Sequence, residues 1–423
     1  MKLSETDTDL LIRFLVLSLF LLIGTLAASA LDRAAVETEY QKWLEQEIWP
    51  RAKSEGVSRQ IFDQAFEGVR LNWELPDLVP PGTEAGTPKI QRQAEFGSPG
   101  KYFARNTVDG ATSVGRAMAK RHAVTLAEVE RRTGVPGRII LAIWGRESAY
   151  GRVKIPHDAF EVLGTKGFIS TRAEYFSEEL IAALRIAQAG HVSPGSMRSS
   201  WAGALGQPQF MPSNFLAHAA DGDGDGRADI WNSEADTIAS IGNFLDQHGW
   251  VAGRDWGFEV TVPVTVSCSL EGPDQGQTIH KWEALGIKRA SGRPFPEGEQ
   301  DGEGFLLMPA GRYGPAFIVT PNFYVLKNYN MSDLYALFVG HVGDRIQFGV
   351  GDFQANWEKI GGLFRSDVAT IQKALVAQGH DVGGVDGLPG YKTRRSIGLW
   401  QESNNITPTC FPNDALRPLL AEK

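Results

Sequence analysis

The sequence predicts a mainly helical α+β protein that ends in a small separate helical unit. Three observations carry that expectation. Apolar residues recur at helical spacing over much of residues 36–189, the texture turns β-rich between Phe258 and Phe348, and residues 360–423 have a helix–turn–helix grammar of their own. A chain of 423 residues is long enough for two or three domains and a substantial core.

Taken in order, the apolar stretch from Leu11 to Leu31 comes first. Lys2 and Arg13 supply positive charge, and Ala28-Ser29-Ala30 is a small-residue cleavage pattern, so residues 1–30 read as a signal peptide. An uncleaved anchor is the rival, because Phe14–Leu31 carries no charge and is just long enough to span a bilayer. From Val36 to Gly68 the pattern is helical and amphipathic, and PDLVPPGTEAGTPK then reads as a surface loop. Helices are expected over Ser113–Thr133, Pro136–Glu147, Arg172–Ala189 and Asp236–His248, with Pro136 suited to a first turn.

EVTVPVTVS and FLLMPA are short strand-like pieces, followed by FIVTPNFYVLKNYN and a helix from Asp333 to Val342. They continue the same domain, which is expected to span residues 31–355. Beyond QANWEKIGG, a last unit (360–423) is close to the lower size limit for independent folding. RSDVATIQKALVAQG, YKTRRSIGLWQESN and NDALRPLL are its three helices, with Ile371, Leu375, Val376, Ile397 and Trp400 as its core.

Composition excludes some functions. A net charge of −8 without a basic stripe argues against nucleic acid. Two cysteines, Cys268 and Cys410, are too few for a disulfide framework; one bridge or two independent buried residues both fit. None of the eight histidines has metal-ligand spacing, and no GxSxG, P-loop or dinucleotide fingerprint occurs.

The chemistry gathers at LAIWGRESAYG, residues 141–151. An unbroken apolar run, Ile139–Trp144, belongs to a helix buried on all sides, and Glu147 ends it. There a carboxylate loses hydration, its pKa rises, and a proton stays available for an acid-catalysed step. The rival role for Glu147 is a simple ion pair with Arg146 or another arginine.

In AADGDGDGRADIWN, Asp221, Asp223 and Asp225 alternate with glycines, and Gly226 sits where a calcium loop turns sharply. The Arg227 carbonyl follows in the alternation. Asn232 stands where the bidentate glutamate is expected, so Asp236 is the better candidate to close the shell around a structural Ca2+ ion. An acidic solvated turn is the bland alternative.

WGRESAYGR, RAEYFSEEL, SSWAGALGQPQFMPSNF and NFYVLKNYN occur in an order that resembles the membrane-bound lytic transglycosylase B family. The resemblance runs from about Ala35 to Gly343. VDGxxGxKT (Val385–Thr393) resembles the peptidoglycan-binding-domain family. The resemblance implies a lysozyme-like catalytic domain with Glu147 as its single acid/base. It places Ser200 and Gln209 beside the acid, Arg172 and Tyr175 along the glycan cleft, and Tyr324, Tyr329 and Asn330 on the far wall, with the Tyr329 hydroxyl near Glu147. Thr171 stands where family members often carry a second arginine. Phe210, Phe215 and Trp201 read individually as core.

The function implied is cleavage of the bond between N-acetylmuramic acid and N-acetylglucosamine, giving 1,6-anhydro-muramic acid ends. A hydrolytic muramidase and a non-catalytic wall-binding scaffold are the rivals. The partners implied are peptidoglycan strands and wall-remodelling proteins, in the periplasm, with membrane contact only through residues 1–30 if they are retained. Deleting residues 360–423 is expected to weaken wall binding and spare soluble substrates.

Overall fold

The computed structural model describes residues 32–83, 99–358, 360, 363–413 and 416. The expected leader or anchor lies outside them, as do most of the third C-terminal helix and half of the proline-rich loop. Among the described residues no helix is long and apolar enough to cross a membrane. The chain divides into two compact units, Met1–Ala85 with Phe160–Arg185, and Gly86–Ala159 with Ile186–Lys423. This differs from the expected boundaries at 31–355 and 360–423.

The first unit is helical. Asp32 accepts the N–H groups of Ala34 and Ala35 and so caps the helix Arg33–Trp43. That helix runs through a π-helical turn, Leu44–Ile48, into Trp49–Ser54, and Ser58 caps Arg59–Phe66. The predicted amphipathic stretch is thus three helices. Their buried faces, with Tyr40, Leu44, Ile48 and Phe62, pack with Phe160 and Phe168 in a small aromatic core.

The second unit is α+β. Its helical part holds Arg105–Arg121, Ala123–Thr133, Gly137–Ser148, Glu234–Gln247 and Asp333–Phe348, with Gly137–Ser148 against all the others. The single helix expected over 113–133 breaks at His122, which leaves helical geometry (φ −107°) as its ring packs edge-on against Trp144. A two-stranded ribbon pairs β1 (His157–Asp158) with β2 (Arg198–Ser199).

The β-rich stretch forms an antiparallel sheet of β3 (Gly257–Thr261), β4 (Gln277–Thr278), β5 (Lys288–Arg289), β6 (Glu303–Leu307) and β7 (Ala316–Val319), in the order β4-β6-β7-β3-β5. Phe258, Val260, Leu306 and Ile318 turn one face into a core with Ile279 and Trp282. Much of EVTVPVTVS is irregular, because Pro263 cannot donate to a ladder.

The C-terminal helices Arg365–Ala377 and Tyr391–Ser403 enclose Ile371, Leu375, Ile397 and Trp400, joined by Val382 and Leu416. Val376 is 49% exposed and belongs on the outer face. Cys410 is disulfide-bonded to Cys268 and lies within the core of the sheet. Buried ion pairs from Arg394 reinforce that junction, which is why the segment clusters with the rest of the second unit.

Candidate active site

The run Ile139–Trp144 is completely buried, as its sequence demands. The helix then stops in three successive left-handed residues, Ala149 (φ 49°), Tyr150 (φ 61°) and Gly151 (φ 74°). Two of these carry side chains, a costly arrangement that surrounding contacts must impose. Tyr150 supplies one: its ring folds back over Gly145, where a Cβ would lie 2.5 Å from the ring, and its hydroxyl donates to the Ala111 carbonyl at 2.7 Å. The turn leaves Glu147 in the final turn of the helix.

Part of Glu147 remains open to solvent, while its carboxyl is hemmed in by protein. Burial pushes its pKa up to about 7, against the downward pull of the Tyr335 hydrogen bond and the Arg146 charge. No ion pair joins Glu147 to an arginine among the described residues. Arg146 instead donates to the Tyr102 hydroxyl at 2.9 Å and stacks over the rings of Tyr102 and Phe338.

The partner of Glu147 is Tyr335, whose hydroxyl donates to Oε1 at 2.5 Å. Burial holds that hydroxyl far above its usual pKa, so it remains a donor. The sequence pointed to Tyr329. Its ring does lie nearly parallel to that of Tyr335, 6.4 Å away, but its hydroxyl donates to the Pro208 carbonyl at 2.7 Å. Tyr335 escaped notice because it sits within the apolar run Leu334–Val339 and reads as core; a buried tyrosine needs a hydroxyl partner, and sequence does not say which.

Residues 199–210 form a double turn built on Leu205, which bridges to Ser199 and to Phe210. Ser200 closes the first turn, its Oγ accepting from the N–H groups of Ala202 and Ala204. Gln209 has left-handed geometry (φ 55°), and its amide donates to the Gly206 carbonyl at 2.8 Å. Gln207, unnoticed in the sequence, ties this segment to the helix Gly137–Ser148: its Oε1 accepts from the Trp144 indole at 2.9 Å and its Nε2 donates to the Trp231 carbonyl. Phe210 and Phe215 are core, as expected, but Trp201 is 50% exposed.

The other predicted residues make contacts of their own. Arg172 and Tyr175 belong to the first compact unit, where the guanidinium lies 4.1 Å over the tyrosine ring. Tyr324 packs edge-on against Phe305 and Phe323, and the charges acting on its hydroxyl are those of Asp333, Glu271 and Arg394, not Glu147. Asn330 ends the helix Pro321–Tyr329, is exposed, and accepts the Ser332 N–H.

In the acidic loop, Asp221, Asp223 and Asp236 bring carboxylate oxygens within 4.8 Å of one another. Asp225 turns away: it accepts the Arg227 N–H at 2.9 Å and pairs with the Arg227 guanidinium at 3.3 Å. Asp236 is only 1% exposed and accepts from the N–H groups of Gly222 and Asp229, which folds the loop onto the helix Glu234–Gln247. Three of the four predicted carboxylate ligands therefore converge, all oxygen donors suited to a hard cation.

Residues 39–344 match the family described as Transglycosylase SLT domain. Over 218 residues the chain is 33% identical to the membrane-bound lytic murein transglycosylase B of Escherichia coli strain K12, a match covering 50% of this chain and 57% of that protein. The chain thus spans little more than half the length of that curated relative. Two structures of SltB3 from Pseudomonas aeruginosa, in complex with NAG-NAM-pentapeptide and with NAG-anhNAM-pentapeptide, superpose with TM-scores of 0.80 and 0.78 at 35% and 34% identity. Each match covers 90% of this chain and 99% of SltB3. The Escherichia coli lytic transglycosylase SLT35 in complex with calcium is similar over 61% of this chain and 80% of its own, with a TM-score of 0.50 and 28% identity.

Proposed function

The chain belongs to the transglycosylase SLT domain family, and from that premise we propose that it is a lytic transglycosylase acting on peptidoglycan. It breaks the bond between N-acetylmuramic acid and N-acetylglucosamine and leaves 1,6-anhydro-muramic acid ends. The observation that carries this reading is the environment of Glu147. Burial pushes its pKa up to about 7, and the groups bearing on it are Tyr335, Arg146 and Tyr329, with no second carboxylate among them.

Hydrolysis of a glycoside usually needs a second carboxylate, as nucleophile or as base for water. One carboxyl suffices if it acts twice. Glu147 first gives its proton to the leaving glycosidic oxygen while the substrate's acetamido carbonyl stabilises the cationic anomeric carbon. The resulting carboxylate, held by the Tyr335 hydrogen bond, then takes the proton of the muramic 6-hydroxyl as that oxygen attacks the same carbon. The nucleophile is already tethered, so water is not required and the acid is regenerated. Ser200, Gln209 and the exposed Trp201 offer hydroxyl, amide and aromatic surfaces for the sugar.

Mass spectrometry of muropeptides released from sacculi tests this. Products one water lighter than reducing fragments are expected. Reducing ends carrying oxygen from labelled water would make the enzyme a hydrolytic muramidase.

A calcium ion is a second part of the proposal, supported by the convergent oxygen donors and by the relative solved with calcium. Asp221, Asp223 and Asp236 would hold it, and its role is structural: neutralising three carboxylates and pinning the loop to the helix Glu234–Gln247. Residues 360–423 are proposed as a peptidoglycan-binding domain, and residues 1–30 as the signal or anchor that sends the protein to the periplasm. Wall-remodelling proteins would be its further partners there.

A further inference from the structure

Four charged side chains meet where the helix Asp333–Phe348 begins, and the proposed chemistry uses none of them. Asp333, the first residue of that helix, takes Lys327 Nζ at 2.6 Å on one carboxylate oxygen and Arg394 Nη2 at 3.2 Å on the other. Arg394, 3% exposed, also grips the fully buried Glu271 with contacts of 2.5 and 3.0 Å, and donates to the Pro389 carbonyl. Glu271 in turn accepts the Met308 N–H at 3.0 Å. Burying so many charges is expensive unless each is paired, and here each one is.

Their position suggests what they do. Asp333 precedes Tyr335 by two residues, in the same first turn, where Ser332 Oγ accepts the Tyr335 N–H. Lys327 lies on the helix that carries Tyr329, whose ring lies parallel to that of Tyr335. The network therefore anchors the first turn that aims the Tyr335 hydroxyl at Glu147. The remote contributor is Arg394, which comes from the C-terminal helix Tyr391–Ser403.

We propose that Arg394 is a positioning residue for the acid: by holding Asp333 it fixes the start of the helix and, through it, the Tyr335–Glu147 hydrogen bond. The C-terminal unit then has a part in the reaction besides any contact with the wall. This rests on the reading of Glu147 as the acid, which Glu147→Gln tests separately. The charged and titratable groups bearing on Glu147 are Arg146, Tyr329 and Tyr335; Tyr102 also bears on Tyr335, and Lys327, Arg394, Glu271 and Tyr324 bear on Asp333.

The experiment is the pH profile of kcat on soluble glycan strands, with the full-length chain. Tyr335→Phe removes a donor that favours the carboxylate, so its alkaline limb should move up by about one pH unit. Asp333→Asn, close in shape, should move the limb the same way, and Arg394→Lys should do so by less. Adding Asp333→Asn to Tyr335→Phe should produce no further shift, because both act on one hydrogen bond. A lowered melting temperature with the limb unmoved in Asp333→Asn and Arg394→Lys, or shifts that add in full, would reduce the network to a structural role. If Arg394→Lys fails to fold, Asp333→Asn decides. Full turnover in Glu147→Gln would fault the assignment of the acid instead.

Discussion

Tyr335 donates its hydroxyl proton to Glu147 across 188 residues of sequence, at 2.5 Å. The bond favours the carboxylate while burial favours the acid, and the balance lies at about 7. A group poised there can give a proton and take one back at neutral pH.

Glu147→Gln should lower turnover by at least about a thousandfold, since the amide cannot donate or accept the transferred proton. Its stability should change with pH. The folded pKa is raised from 4.5 to about 7, so the native state holds the extra proton and loses stability as pH rises between those values. Glutamine escapes that loss. The variant should melt higher than the parent at pH 8, by at most about 3 kcal/mol, and equally at pH 4. Calorimetry at both pH values checks the sign.

Trp201→Ala should raise KM for glycan strands about fivefold, consistent with ~1 kcal/mol of lost ring contact. With half its surface exposed, the indole contributes little to the core, so kcat and melting temperature should hardly move. A fall in melting temperature with KM unchanged would return the residue to a packing role.

Calcium should raise the melting temperature, because a cation bound only by the folded state stabilises it by mass action. Melting curves with chelator, and with calcium restored, are the measurement. Asp223→Ala should abolish the difference. Asp225→Ala should leave it largely intact, since Asp225 faces Arg227 and not the cluster.

Removing residues 360–423 should impair cleavage of soluble strands as well as sacculi, contrary to the expectation from sequence. Truncation leaves Glu271 buried without its arginine and Cys268 without Cys410. A buried charge stripped of its partner costs roughly 3–5 kcal/mol, and a crosslink of this span contributes up to about 5 kcal/mol. Cys410→Ser, which cuts the bond but keeps the unit, should lie between parent and truncation in a denaturant melt.

What the sequence disclosed depended on how local the signal was. Glu147 was legible because six buried residues precede it in one helix. Its neighbour Tyr335 was not, since a tyrosine inside LYALFVG is packed like its neighbours and differs only in where its hydroxyl ends. The ion pair of Arg394 with Glu271 joins residues 123 apart, and in KTRRS the arginine reads as solvated charge. Trp201 erred the other way: a lone tryptophan counts as core until its loop is seen to turn outward. The break at His122 is a tertiary effect, in which a ring drawn toward Trp144 overrides an otherwise continuous helical pattern.

The bond between Cys268 and Cys410 has a consequence in time. Read from the N terminus, residues 141–151 are made early, and the loop that the bond closes contains Asp333, Tyr335 and the whole run β4 to β7. Cys410 follows all of these in the chain. Glu147 is therefore in place long before the crosslink around its tyrosine partner can form, and a partly made chain has the carboxyl without its finished setting. The surroundings of Glu147 are thus complete only after residue 410 has been made and has met Cys268.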